Sequence, residues 1–183
     1  MAVDMVNTKW FILLDAHCRM FTEDWLQKLE EANLNPNGVY CCACVGFEEN
    51  DSIEGKVKGY AAYLKKEDNR KLLEPVWNTK ERRSETEIFD TQVVLGANYI
   101  STKEWYDKIG GHKGFRRYSR EEPFISIKTR MAGGDVKCIP YILTGHKFRK
   151  VPPFPLRKED FIYNELATIY ICANYLFDKY VNL

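Results

Sequence analysis

The apolar run that ends at Val45-Gly46 closes on an acidic pair, Glu48 and Glu49, and the segment after it is cationic: Lys56, Lys58, Lys65 and Lys66 surround Tyr60. Two kinds of chemistry suit such a pattern. A carboxylate facing lysines across a hairpin balances their charge, which contributes roughly 0.2–1 kcal/mol. An aromatic ring among cations on a sheet can instead bind single-stranded nucleic acid, because bases stack on the ring while phosphates pair with Lys or Arg. Lys80, Arg82 and Arg83 extend this positive stretch, and Arg116, Arg117 and Arg120 form a second one. A solvated charged surface accounts for the same residues without any ligand.

Other reactive residue types are sparse. His17, His112 and His146 show no local carboxylate or cysteine spacing typical of metal ligands, and they read as structural or exposed. The "GGHKG" segment lacks the frame of a phosphate-binding loop. Six cysteines (Cys18, Cys41, Cys42, Cys44, Cys138, Cys172) offer neither paired CxxC motifs nor Cys with spaced His. Three of them lie in an apolar run, where cysteine acts as a small buried hydrophobe.

The elements that must position these residues follow from pattern. "TKWFILLDA" reads as a strand and "TEDWLQKLEEA" as a helix, with Thr22 as its N-cap and Trp25, Leu26 and Leu29 on one face. "NLNPNG" stops that helix, and "VYCCACVGFE" is a strand apolar enough to be buried on both faces. "KVKGYAAYLKK" alternates as the second arm of a hairpin. "EDNRKLLEPVW" reads as a short helix halted near Pro75, "TEIFDTQVVLGANYI" contains a strand, and "TKEWYDKIGG" is a helix ended by its glycines. Adjacent pairing then gives an α+β fold: a ferredoxin-like or RRM-like antiparallel sheet with helices on one face.

Beyond Gly114 the pattern changes to short strands around a Gly-Gly turn, a Pro-rich link and a terminal helix. The expected organisation is a domain over 1–114 and an extension over 115–183, a β-hairpin and helix packed on it. In that helix Phe161, Leu166, Ile169, Tyr170 and Leu176 have core-like spacing. The chain has 183 residues, 45% apolar and 29% charged, with a formal net charge of +1, so a positive face must be local rather than global. No segment reads as a signal peptide or a bilayer span, and the expectation is a soluble, intracellular protein without membrane contact.

The first ~110 residues resemble the N-terminal HUH-endonuclease domain of replication initiators (Rep) from circular single-stranded DNA viruses. The resemblance rests on "WFILLDA", "FTEDWLQKLEE", "VGFE" and "GKVKGYAAY". It implies that Glu48 stands at a metal-ligand position, while Lys56 and Lys58 replace the His and Gln or His ligands. An ammonium group only donates hydrogen bonds and cannot hold a cation. The resemblance therefore implies a viral, Rep-like protein with a degenerate active site, no cofactor, and nucleic acid, preferably single-stranded DNA, as partner. Lys56, Lys58, Tyr60, Lys65, Lys66, Arg82, Arg83, Arg116 and Arg117 would carry the contacts. One alternative is an active nickase with Mg²⁺ or Mn²⁺ at Glu48, Tyr99 as nucleophile and Lys103 beside it, approximating the family's Tyr-x-x-Lys. Another is a protein-interaction module, with homo-oligomer contacts through the terminal helix.

Overall fold

Gly38–Gly46 carries no charged side chain, and all nine of its residues are buried, as a strand covered on both faces requires. The structure is a computed structural model that describes residues 2–48, 52–53, 59–65, 73–79, 86–149 and 154–174. After a short 3₁₀ turn at Ala2–Met5 come β1 (Trp10–Leu14), β2 (Cys18–Met20), α1 (Trp25–Glu31) and β3 (Gly38–Gly46). Next are β4 (Ala62–Leu64), β5 (Pro75–Trp77), β6 (Phe89–Asp90), β7 (Asn98–Thr102) and α2 (Lys103–Lys108). The remainder is α3 (Glu121–Met131), β8 (Asp135–His146) and α4 (Lys158–Cys172).

The main sheet runs in the order β1-β7-β3-β8-β2, with β6 also pairing β8, while β4 and β5 form a separate pair. The sheet is mixed rather than antiparallel. β3 and β8 are parallel from Gly38↔Asp135 to Gly46↔His146, with a register slip between Cys42 and Ala43. β7 is antiparallel to both β1 and β3. Consequently β1, β3 and β8 all run in one direction and end along one edge of the sheet.

The ferredoxin-like expectation fails at α3. The sequence "EEPFISIKTRM" places Ile125, Ile127 and Thr129 two apart, which imitates a strand, and Pro123 discourages a helical reading. Proline is tolerated in a first helical turn, where its missing N–H has no partner to lose. The segment is therefore a helix, and it leads into one twelve-residue strand rather than a hairpin. That strand lies between β3 and β2, so the sheet crosses the boundary expected at 114.

Helices cover both faces, not one. Val39 and Cys41 of β3 join a core with Val93, Val94, Val136, Cys138 and Ile125 of α3. Tyr40 and Cys42 join the opposite core with Ile100, Ile139, Ile142 and the half-buried Trp25 and Leu29 of α1. The expected N-cap of α1 is displaced: Thr22 Oγ1 accepts from Leu143 N–H at 2.8 Å, and Asp24 takes the cap position. All six cysteines are free thiols, with Cys41, Cys42, Cys44 and Cys138 inside the core. Of the expected hairpin, Gly59 bridges Cys44 and Ala62 bridges Val93. Residues 54–58 and 66–72, which hold the rest of that hairpin and most of the expected second helix, lie outside the described residues. Among the described residues no helix is long and apolar enough to cross a membrane.

Candidate metal centre

Three strand ends meet at the carboxyl edge of the sheet, the position where ligands bind in open α/β sheets. Asp15 follows β1 directly, and a tight turn, with Cys18 N–H donating to Asp15 C=O at 2.9 Å, reverses the chain into β2. β2 pairs with the end of β8 so that Cys18 faces His146, and Lys147 N–H donates to His17 C=O at 3.1 Å. Asp15 N–H is held by Ala97 C=O at 3.2 Å. These backbone bonds bring together side chains that lie 131 residues apart in the chain. Ligating atoms of Asp15, His17 and His146 all fall within 4.8 Å of one another.

The donor set is one carboxylate and two imidazoles, a combination that holds Mn, Fe or Zn and leaves coordination positions open. His146 Nε2 lies 3.3 Å from Asp15 Oδ2, while its Nδ1 is buried without a hydrogen-bond partner among the described residues. Burial, and then the adjacent His146, hold the His17 pKa below its usual value against the opposing pull of Asp15. His17 is therefore neutral at pH 7, the form that can donate a lone pair. The Asp15 side chain is 49% exposed, so the cluster is open to solvent on its carboxylate side.

Aromatic rings wall the cluster. The His17 and His146 rings are 4.5 Å apart, Phe148 stands 4.4 Å from His146, and Trp77 stands 5.4 Å from Phe148. Gly145 is required beneath them, because a Cβ there would come within 2.1 Å of the Phe21 ring.

A carboxyl pair adjoins the same edge. Glu121 and Glu122 open α3, and a Cβ on Gly96 would lie 2.2 Å from Glu122 Oε1. That places the Glu122 carboxyl one residue from Ala97, whose carbonyl holds Asp15 N–H and Cys18 Sγ. Burial, then the charge of Glu121, push Glu122 up to about 8, with Asp15 adding to the shift. Glu121 is also raised, by burial first, although Ser119 N–H donates to its Oε2 at 2.8 Å. A carboxyl that keeps its proton near neutral pH thus stands beside a potential cation site.

The residues singled out from sequence do not converge here. Glu48 is exposed, follows β3 at the same edge, and is outside the three-ligand cluster. Tyr60 is 5% exposed, so its ring offers no stacking platform. Lys65 is exposed, and Lys56, Lys58, Lys66, Arg82 and Arg83 lie outside the described residues. Arg116 stacks 3.7 Å over the Tyr163 ring and Arg117 pairs with Asp160 at 3.7 Å, so both cations dock α4. Tyr99 is a buried residue of β7, where burial pushes its hydroxyl far above the usual range, unlike a nucleophile. Lys103 begins α2 and pairs with Asp107, so the two residues never share a helical face.

The ligands that sequence reasoning passed over had a signal. Asp15 and His17 are separated by one residue at the end of an apolar strand, and His146 ends another. The expectation that His17 has no local carboxylate fails at Asp15, two positions before it, and sequence distance hid the third member.

No protein-family model matches the chain. Among curated proteins it is 26% identical over 160 residues to human polypeptide N-acetylgalactosaminyltransferase 14, covering 82% of this chain and 28% of that protein. It is 26% identical over 152 residues to polypeptide N-acetylgalactosaminyltransferase 5 of Caenorhabditis elegans (79% of this chain, 24% of that protein). To human polypeptide N-acetylgalactosaminyltransferase 10 it is 23% identical over 144 residues (77% and 24%). The chain thus spans about a quarter of the length of these curated relatives. A crystal structure of GalNAc-T7 with UDP, GalNAc and Mn²⁺ superposes with a TM-score of 0.70 at 15% identity, over 98% of this chain and 35% of that one. That likeness establishes the fold.

These findings overturn the viral Rep resemblance, and with it the DNA-binding reading, the Rep-type nickase and the nucleic-acid partner: the relatives are glycosyltransferases. The expectation of no cofactor does not stand beside a three-ligand cluster and a fold neighbour crystallised with Mn²⁺.

Proposed function

We propose that this chain forms the cation-holding part of a metal-dependent glycosyltransferase, one that moves N-acetylgalactosamine from a uridine diphosphate donor to a polypeptide hydroxyl. The observation that carries the reading is the gathering of Asp15, His17 and His146 at the carboxyl edge of the sheet. The relatives' names supply the sugar and the acceptor, and the fold neighbour supplies the nucleotide and Mn²⁺ as the cation.

Asp15, His17 and His146 would hold the ion. A bound divalent cation neutralises charge that develops on a departing diphosphate. Glu122 keeps a proton on its carboxyl oxygen at the same edge and can donate a hydrogen bond where an ionised carboxylate would repel a phosphate. Phe148 packs against His146, and Trp77 packs against Phe148 in turn.

Titration of Mn²⁺ followed by electron paramagnetic resonance tests the reading directly, since bound ion loses the free six-line signal. Saturable binding is expected, strengthened by UDP and lost in His146→Ala. Sugar transfer from UDP-GalNAc to a Ser/Thr peptide should be lost with it. An unchanged free-ion signal at millimolar protein, with and without UDP, would remove the basis of the proposal.

A further inference from the structure

The loop 116–120 is fixed to α4 by one buried amide. Asn164 accepts from Arg116 N–H at 2.9 Å and donates to the carbonyls of Arg116 and Ser119 at 2.8 and 3.0 Å. Beside this clamp lies a groove of about 420 Å³ lined by Arg117, Tyr118, Phe154, Leu156, Arg157 and Phe161. That volume falls in the lower part of the range for ligand pockets, about 300–1,000 Å³. The Tyr118 ring stands 5.5 Å from Phe154 and 6.4 Å from Phe161, and Tyr118, Phe154 and Leu156 are each close to half exposed.

The walls are apolar and the rim is charged. Arg117 is matched by Asp160 at 3.7 Å, which leaves Arg157 as the surplus positive charge among the lining residues.

We propose that this groove is a polypeptide-acceptor subsite that takes an apolar or aromatic side chain with an acidic residue next to it. The proposal rests on the glycosyltransferase reading for the identity of the ligand as an acceptor. Apolar walls supply the affinity, and the surplus Arg157 selects for charge, as complementary potentials do at interfaces. The same site disfavours a lysine at the flanking position.

Fluorescein-labelled Ser/Thr peptides carrying Phe-Asp, Phe-Lys or Gly-Gly beside the hydroxyl residue, titrated with the full chain, Mn²⁺ and UDP and followed by anisotropy, provide the test. The Phe-Asp peptide should bind at least tenfold more tightly than either other. Phe154→Ala and Arg157→Glu should each weaken it about fivefold or more, and Arg157→Glu should reverse the Asp-over-Lys preference. Both side chains are exposed, so circular dichroism and the Mn²⁺ response should match the parent. Equal binding of all three peptides, no binding of any, or binding indifferent to both substitutions overturns the subsite. If the Mn²⁺ response persists in that case, the glycosyltransferase reading survives it. If groove-dependent binding is seen without any Mn²⁺ response, the groove stands as a peptide site, but the transferase reading falls and the acceptor assignment is overturned with it.

Discussion

Histidine occurs in two settings in this molecule, and the contrast separates a site from a scaffold. His17 and His146 pack at a tilt, rings 4.5 Å apart, at a sheet edge beside a half-exposed carboxylate. His112 is enclosed by Tyr99, Tyr106, Phe115 and Phe124, with ring centroids 5.7–6.4 Å away. There the Tyr106 hydroxyl is hydrogen-bonded to Nδ1 at 2.8 Å and accepts from His112 N–H at 3.3 Å. His112 has aromatic rings and a tyrosine hydroxyl at Nδ1 for neighbours and, among the described residues, no carboxylate in a cluster with it, whereas Asp15 gives His17 and His146 a second kind of ligand. The surroundings of the imidazole, rather than the imidazole itself, decide which chemistry it can do.

The largest effect should appear when the open cluster is broken. Asp15→Asn, His17→Ala and His146→Ala are each expected to weaken Mn²⁺ binding by at least about 100-fold, beyond the range found for lost supporting contacts. Mn²⁺-dependent thermal stabilisation should vanish in the same variants, because a ligand of the native state stabilises by mass action. His112→Phe should leave the Mn²⁺ titration unchanged. A weakened titration in His112→Phe would erase the distinction between the two settings.

Acid should expose the enclosed setting next. Burial depresses His112 from 6.5 to about 4, against an opposing pull from the Glu121 backbone and with a smaller push from the charge of Lys128. A depressed folded-state pKa means that stability is fully present above about pH 6.5 and is lost as pH falls toward 4. The unfolded chain takes up a proton over that window that the folded chain refuses. The loss approaches about 3 kcal/mol, at 1.36 kcal/mol per pH unit. Glu122 acts with the opposite sign: its raised value means that its contribution, full below about pH 4.5, is lost as pH rises toward 8. Urea unfolding at pH 4.5 and 7 in His112→Phe and Glu122→Gln separates the two. His112→Phe should flatten the acid limb, and Glu122→Gln should gain stability mainly at the higher pH.

A middle-sized effect belongs to the Asn164 clamp. Asn164→Ala leaves Arg116 N–H and two carbonyls without their protein partner, at a cost of about 1–3 kcal/mol in denaturant melts. It should also loosen the groove without touching the Mn²⁺ titration. A neutral result would show that α4 docks without the amide, through Arg116 on Tyr163, Arg117 on Asp160 and Arg120 on Glu165 at 3.6 Å.

Much of the fold was legible where burial was simple. β3 reads as a buried strand because nothing polar interrupts it, and α1 reads as a helix from Trp25 and Leu29. α3 was hidden by its alternating β-branched residues, and losing it turned β8 into a hairpin and made a parallel pair invisible. The candidate ligands were hidden for a geometric reason. Asp15 and His17 lie two positions apart in sequence, but the partner that gives them meaning enters through the β2–β8 register, which no local spacing encodes. Lysine-rich segments drew attention because charge is visible in one dimension, yet Arg116 and Arg117 use their charge to hold a helix.

The smallest effect distinguishes the two tyrosines that face His112. Tyr99 OH lies 3.5 Å from Nδ1, at the limit of a hydrogen bond, while Tyr106 OH makes the short contact and also accepts the backbone N–H. Nδ1 makes one hydrogen bond, so the nearer Tyr106 takes it and Tyr99 contributes mainly by ring packing in the core. Tyr99→Phe keeps that packing and should change stability by no more than about 0.5 kcal/mol, whereas Tyr106→Phe should cost about 1–2 kcal/mol, near the value of a hydrogen bond plus a freed buried donor. Neither should alter Mn²⁺ binding. Equal penalties in the two variants would mean that both hydroxyls share His112, and a loss of sugar transfer confined to Tyr99→Phe would bring that tyrosine into the chemistry of the sheet edge.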